Sequence, residues 1–250
     1  MSSAAKSQLV QKIIPLLKKK YESPDRREPL PVLEHLILGI LSDGTTTAKA
    51  DAAFQRLKTQ YFDWNEVRVS AVVELQEALK DLPDPEQRAT RLKSCLKYLF
   101  ETNYTFDLDS FLKLPMKEVA RKLAKLPYSS QYLTARVIRD GLEGNAMPLD
   151  STAVRVLTRL ELIDAKTTAE VLSGSLSRAI PRARSFEFCH LLSELGADTC
   201  LEPEPRCKQC CLLELCSTGQ RQVAAAAEAE AAAKAKRTRA KGKAARGKAE

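Results

Sequence analysis

Apolar positions recur along this chain at the helical interval. Leu92, Cys95, Leu96, Leu99 and Phe100 stand at i, i+3, i+4, i+7 and i+8, one stripe of an amphipathic helix. Ala153, Val156, Leu157 and Leu160 repeat the pattern, as do Phe188, Leu191, Leu192 and Leu195. The segment Leu30 to Leu41 is apolar nearly all round, which predicts a helix buried in a core. Val67 to Val73 is rich in β-branched residues, but no partner strand with clear alternation accompanies it, so a junction between helices is expected there. Turn formers fall between the helical segments: Ser23-Pro24-Asp25, Ser42-Asp43-Gly44, Leu82-Pro83-Asp84-Pro85, Leu126-Pro127 and Glu143 to Pro148. The expected class is all-α.

The pattern changes at Ser217-Thr218-Gly219. Ala224 to Ala233 holds only Ala and Glu, and Lys234 to Lys248 alternates small residues with Lys and Arg. Such a tail carries no apolar side chain larger than Ala and builds no core, so residues 220–250 are expected to be disordered, with transient helix in the Ala-rich part. The tail also dominates the charge. Of the formal +8 over 250 residues, Arg221 to Glu250 supplies nine basic and three acidic groups, leaving the preceding 220 residues at only +2. The basic pI therefore says little about the folded body. Lys234, Lys236, Arg237 and Arg239 are candidates for nonspecific contact with nucleic-acid phosphates; the alternative is a merely solubilising extension.

With 44% hydrophobic and 29% charged residues the composition is that of a soluble globular protein, and the length fits one large domain or two small ones. The longest apolar run, Val32 to Leu41, is too short and interrupted to span a bilayer, and the N-terminus lacks an apolar secretory segment. A cytoplasmic protein is expected. In that compartment clustered cysteines point to metal rather than disulfides. Cys200, Cys207, Cys210 and Cys216 are spaced C-x6-C-x2-C-x5-C within 17 residues of low apolar content. Thiolates suit iron–sulfur clusters or zinc, and the metal would supply the folding energy that this loop lacks. Four-cysteine zinc sites usually show two separated C-x2-C pairs, whereas only one is present, so a [4Fe–4S] cluster is favoured with zinc as the alternative. Cys211 is a spare or competing thiol.

This cysteine motif, at the end of a helical chain, resembles the cluster loop of endonuclease III and the adenine-specific mismatch glycosylase, both helix-hairpin-helix (HhH-GPD) DNA glycosylases. Leu126-Pro127 followed by Thr134-Ala135-Arg136-Val137-Ile138 is similar to the family's LPG-type turn and TA-x-V-type helix. Leu149-Asp150-Ser151-Thr152-Ala153 resembles the segment that opens with the family's catalytic Asp, and Ile40 to Thr47 is similar to its LLSAQ-type segment. The resemblance spans about Leu30 to Cys216. It implies a two-lobed fold: a helical barrel lobe over residues 24–145 ending in a degenerate hairpin, and an iron–sulfur lobe formed by residues 1–23 and 146–219. It further implies a monomer that binds double-stranded DNA, with the cleft between the lobes and no membrane association. In a bacterium the protein would be nucleoid-associated.

The implied chemistry is base excision. The target nucleotide leaves the duplex, the glycosidic bond breaks, and a carboxylate stabilises the positive charge on the sugar or activates the nucleophile. Asp150 matches that role, and it also reads as a helix N-cap; the two are compatible. Bifunctional members add a lysine that forms a Schiff base with the sugar. Alignment on Thr134-Ala135 puts Leu133 in that place, with Tyr132 before it, so lyase activity is not expected. The hairpin stretch Tyr128-Ser129-Ser130-Gln131-Tyr132 has no glycine and one residue more than the family's turn. Ser129, Ser130 and Gln131 remain candidates to donate hydrogen bonds to a DNA phosphate. Asp43-Gly44 replaces the motif's Ala-Gln. The primary expectation is a monofunctional glycosylase of the endonuclease III type. The alternative is a noncatalytic iron–sulfur DNA-binding protein on the same scaffold, and a third reading is a scaffold that binds no DNA. His35 and His190 read as core or boundary histidines, Cys95 and Cys189 as small buried hydrophobes, and Trp64 as packing at a helix junction.

Overall fold

In a computed structural model the described residues are 3–23, 29–163, 176, 180 and 182–246. Among them every regular element is helical. The chain runs through α1 (Ser3–Lys18), α2 (Val32–Ser42), α3 (Thr47–Gln60), α4 (Trp64–Val69), α5 (Val72–Ala78), α6 (Pro85–Asn103), α7 (Met116–Leu123), α8 (Gln131–Arg136), α9 (Ser151–Arg159), α10 (Arg182–Asp198) and α11 (Ser217–Arg246). Short 3₁₀ turns occupy Asp109–Lys113, Cys207–Gln209 and Leu213–Leu215, and a π turn at Val137–Gly141 extends α8.

The elements follow local signals. All eleven residues of α2 are buried, as its continuous apolar run predicts. The β-branched segment around Val67 divides into α4 and α5 at Ser70-Ala71, a junction between helices. Asp63 caps α4 by accepting from the Glu66 amide at 2.8 Å, and Trp64 stacks on Phe54 with centroids 5.8 Å apart. α6 opens with Pro85 at its first position, where the missing N–H costs nothing.

Two apolar clusters form. One gathers α2 to α8 around residues such as Leu41, Leu57, Leu75 and Leu92, all fully buried. The other joins α1 to α9 and α10 through Ile13, Leu17, Leu157 and Phe188, and the cysteine loop packs on its edge. Burial of aliphatic side chains on this scale, about 2 kcal/mol each, is what orders both clusters. Gly196 lets α10 close on α9: a Cβ there would lie 2.5 Å from Thr152 Cβ.

The tail departs from its expected disorder in backbone only. α11 continues to Arg246, because Ala, Glu, Lys and Arg are strong helix formers. Residues 224–232 are nonetheless exposed, so the segment contributes no core, and an unsupported helix of this kind is marginal in water.

Candidate functional sites: the seam and the cysteine cavity

The two clusters meet where the α2–α3 loop faces the start of α9. Asp150 is the N-cap of α9 and only 1% exposed. Its carboxylate accepts from the Ala153 amide at 2.7 Å, from Thr152 Oγ1 at 2.9 and 3.0 Å, and from the Gly44 amide at 3.3 Å. Gly44 has φ +70°, a conformation that glycine adopts without strain. Burial raises the Asp150 pKa, the Ala153 and Thr152 bonds oppose that rise, and the negative charge of Asp43 adds to it. Asp150 thus makes the cap contact and also sits in the seam.

Asp43 does not point freely into solvent. Its Oδ1 accepts from the Ser151 amide and hydroxyl, both at 3.3 Å, and Arg91 Nη1 lies 3.9 Å from Oδ2. The amide at the positive end of α9 suits a carboxylate. Arg88, 6% exposed, fixes this loop from below by donating to the carbonyls of Pro83 at 2.6 Å, Ile40 at 2.8 Å, Leu41 at 2.9 Å and Asp43. These would otherwise be orphan carbonyls at the end of α2. On the far side of the loop the Thr47 amide donates to Glu194 at 2.7 Å, and Thr47 Oγ1 pairs with His190 Nδ1 at 2.9 Å. His190 is therefore a boundary histidine with a partner across the seam, whereas His35 is buried on α2.

The hairpin enters the same region. Tyr128 takes φ +57°, the left-handed conformation for which the family's turn uses glycine. A tyrosine there costs about 1–2 kcal/mol of backbone strain. Cys95 Sγ, 3.1 Å from the Pro127 carbonyl, and Arg91, 3.4 Å from the Tyr128 carbonyl, hold the turn. Ser130 caps α8 by accepting from the Leu133 amide at 3.1 Å, which leaves its hydroxyl hydrogen available to another acceptor. Ser129 and Gln131 are half-buried beside it. Leu133 is 1% exposed and packs toward Gly39 in the barrel core. Tyr132 turns the other way, and its hydroxyl accepts from Arg136 Nη1 at 2.8 Å. Burial raises its pKa, Arg136 opposes, and the charges of Asp150 and Asp43 add to the rise, so the phenol stays protonated at neutral pH.

The four predicted cysteines line one cavity of about 320 Å³, counted with its open mouth, together with Arg159 and Gln222. Burial pushes the Cys210 thiol up to about 11 and also raises Cys207, and the neighbouring thiols Cys200 and Cys216 add to both shifts. Arg155 and Arg159 reach the loop from α9, with Arg155 Nε 2.8 Å from the Cys200 carbonyl and Arg159 Nη1 3.2 Å from Cys200 Sγ. Cys216 Sγ accepts from the Gly219 amide at 3.2 Å. All seven cysteines are free thiols; Cys95 and Cys189 are buried, and Cys211 stands half-buried on the side of Lys20 rather than lining the cavity. Among the described residues no three His, Cys, Asp or Glu side chains converge closely enough to hold a single ion. A tetrahedral zinc with bonds of about 2.3 Å would draw its sulfurs to within about 4 Å of one another. Four thiols spread around one cavity fit a polynuclear cluster, whose irons stand apart, better than one ion.

The structure brings Asp150, Asp43, Tyr132 and the hairpin serines to one region. The tail positions do not join them: Lys234 is exposed, and positions 234, 236, 237 and 239 lie on α11, whose contacts are with the cysteine loop and α9. Sequence reading missed Arg88, Arg159 and the Tyr132–Arg136 pair. The i, i+4 spacings of Tyr132 with Arg136 and of Arg155 with Arg159 were the available signals.

No protein-family model matches the chain. It is 26% identical over 192 residues to endonuclease III of Bacillus subtilis (strain 168), covering 76% of this chain and 82% of that protein. It is 23% identical over 177 residues to an Arabidopsis thaliana protein named as a DNA glycosylase, covering 71% of this chain but 60% of that longer protein. Among solved structures, an endonuclease III trapped as a covalent intermediate with DNA superposes with a TM-score of 0.64 at 19% identity, covering 87% of this chain and 98% of that one. A thermostable thymine-DNA glycosylase gives 0.61 at 19% identity, covering 88% and 100%. The fold is that of the helix-hairpin-helix DNA glycosylases. On the glycosylase fold the seam at Asp150 lies between the two clusters, and the cysteine cavity lies at the far end of α9. Among the described residues no helix is long and apolar enough to cross a membrane.

Proposed function

We propose that the protein is a monofunctional base-excision DNA glycosylase of the endonuclease III type, acting as a monomer on double-stranded DNA in the cytoplasm. The observation that carries this reading is Asp150: a buried carboxylate at a helix N-terminus in the seam of a glycosylase fold, with its pKa raised by burial. Once a nucleotide is flipped into the seam, ionised Asp150 stabilises the positive charge on the sugar and takes a proton from the attacking water. The Gly44 amide, the longest of its contacts, is the one that an incoming nucleotide displaces. Leu133 is buried and carries no amine, so no Schiff base forms there. Ser129, Ser130 and Gln131 donate to the phosphate backbone beside the hairpin, and Lys234, Lys236, Arg237 and Arg239 add electrostatic attraction.

Cys200, Cys207, Cys210 and Cys216 hold a [4Fe–4S] cluster whose contribution is structural, ordering a polar loop beside DNA. The raised thiols give up their protons when it binds, and Arg159 offsets the resulting charge at Cys200.

The test is base release from duplexes carrying oxidised pyrimidines, uracil, alkylated bases or adenine mispairs, followed by alkali to cut at abasic sites. Asn caps helices about as well as Asp. Asp150→Asn should therefore keep the fold and lose about 10²–10⁴-fold in rate. Absence of alkali-dependent cleavage on every duplex, or an Asp150→Asn protein as active as the wild type, would leave the noncatalytic DNA-binding reading in its place.

A further inference from the structure

The hairpin holds one residue more than the family's turn, and two registers follow. Counted back from Thr134-Ala135, the place of the lyase lysine falls on Leu133; counted forward from Leu126-Pro127, it falls on Tyr132. The structure separates these. A π turn carries one residue more than an α turn, and α8 runs directly into one at Val137–Gly141, so a surplus residue is housed downstream and the hairpin keeps its length. Leu133 is 1% exposed and committed to the barrel core, where Gly39 leaves room for it. Tyr132 is the residue on the seam side, within electrostatic reach of both Asp150 and Asp43.

Its hydroxyl is also held in place. Arg136, one turn along, donates to the Tyr132 oxygen at 2.8 Å and lies 3.5 Å from Asp140, which Arg139 grips at 2.6 and 3.1 Å. With one lone pair of the oxygen occupied, the phenol proton is directed to an acceptor on the seam side.

We propose that Tyr132 stands in the lysine's place opposite Asp150 and is the side chain against which the deoxyribose of the flipped nucleotide seats. The inference rests on the glycosylase reading, which supplies the flipped nucleotide. It also means that the seam retains the geometry of a lyase and lacks only the amine.

Tyr132→Lys supplies that amine. On a duplex with a preformed abasic site, Nζ would attack C1′ of the open-chain aldehyde, water would leave, and the C=N bond of the imine would form. Added borohydride then delivers hydride to C1′ and fixes a C–N bond between protein and DNA. Arg136, left beside the new amine, favours its neutral, nucleophilic form. The expected result is a borohydride-trapped adduct at least 10-fold above wild type for Tyr132→Lys and none for Leu133→Lys. A folded Tyr132→Lys protein that binds the abasic duplex without trapping overturns the placement, as does trapping by Leu133→Lys instead.

Should Tyr132→Lys fail to fold, Tyr132→Phe provides the second reading. It should weaken binding to a duplex with a tetrahydrofuran abasic analogue several-fold and leave affinity for undamaged duplex unchanged; equal loss or no loss on both overturns the proposal. Because trapping uses a preformed abasic site, it requires no base excision. A chain that excises nothing yet traps fails only the glycosylase reading, and one that excises yet does not trap fails only the placement of Tyr132.

Discussion

The cysteine loop and the seam at Asp150 are both polar regions set against apolar helices, and they are organised in opposite ways. In the loop the reactive groups are close in the chain, four thiols within 17 residues, and the surrounding segment has little apolar content to order it. In the seam the groups come from distant positions: Asp43, Tyr132 and Asp150 meet because two cores, each closed by its own leucines, bring α2, α8 and α9 together. A site ordered by its ligand should fail when the ligand leaves. A site ordered by its cores should lose chemistry before it loses structure.

The largest effect is therefore expected in the loop. Cys210→Ser removes one thiol from the cavity, and the protein should lose its iron and become protease-sensitive across residues 199–216, while the cluster around Leu41 and Leu92 stays folded. Metal–thiolate bonds in small zinc domains are worth about 10–16 kcal/mol, far more than this loop could regain by packing. Iron and sulfide content per chain, together with limited proteolysis, would show it. A colourless wild-type protein carrying one zinc per chain, or a Cys210→Ser variant as resistant as the parent, would remove the contrast.

That difference also governs what could be read along the chain. The helices around Leu92, Val156 and Leu192 were legible because the stripe of each records its own burial. The cysteine spacing was legible because a cluster of this kind binds residues that are near neighbours. Asp43 was not: taken alone it reads as a carboxylate that would repel DNA, and only the fold shows it accepting from the amide of Ser151, 108 residues away. The register of the hairpin was ambiguous by one residue, since Thr134-Ala135 and Leu126-Pro127 cannot both be honoured until the π turn is seen. Arg88 was missed because a charged residue bound to four backbone carbonyls leaves no pattern in sequence.

A smaller effect tests the seam. Burial first, and then the charge of Asp43, raise the Asp150 pKa, and Asp150 must be ionised to act. Activity should fall as pH drops through that raised value, so the acid limb should lie above the usual carboxylate range. Asp43→Asn removes the like charge and keeps an acceptor for Ser151; it should move the acid limb to lower pH. The sign for stability is the same. A carboxyl whose folded pKa is raised contributes stability that is present below its unfolded value and lost as pH rises through the folded one, and Asp43→Asn should reduce that loss. An acid limb of kcat/KM that does not move would show that the two carboxylates are uncoupled in the working enzyme.

The smallest effect should come from the tail, and here the two regions set where it can be cut. The first turns of α11 belong to the cysteine loop: Gln222 Oε1 lies 3.1 Å from Cys207 Sγ, and Glu230 lies 3.3 Å from Lys208 Nζ. Removing everything after Gly219 would disturb both regions at once. A chain ending at Ala233 keeps those interactions and discards only Lys234 to Glu250, with its eight basic groups. It should retain its iron and its rate on saturating DNA, bind duplex DNA more weakly, and show a shallower salt dependence, the slope of log K against log salt falling by about 0.9 for each phosphate that the tail had neutralised. Equal slopes for the full and shortened chains would assign all phosphate binding to the hairpin side of the molecule and leave the tail as a solubilising extension.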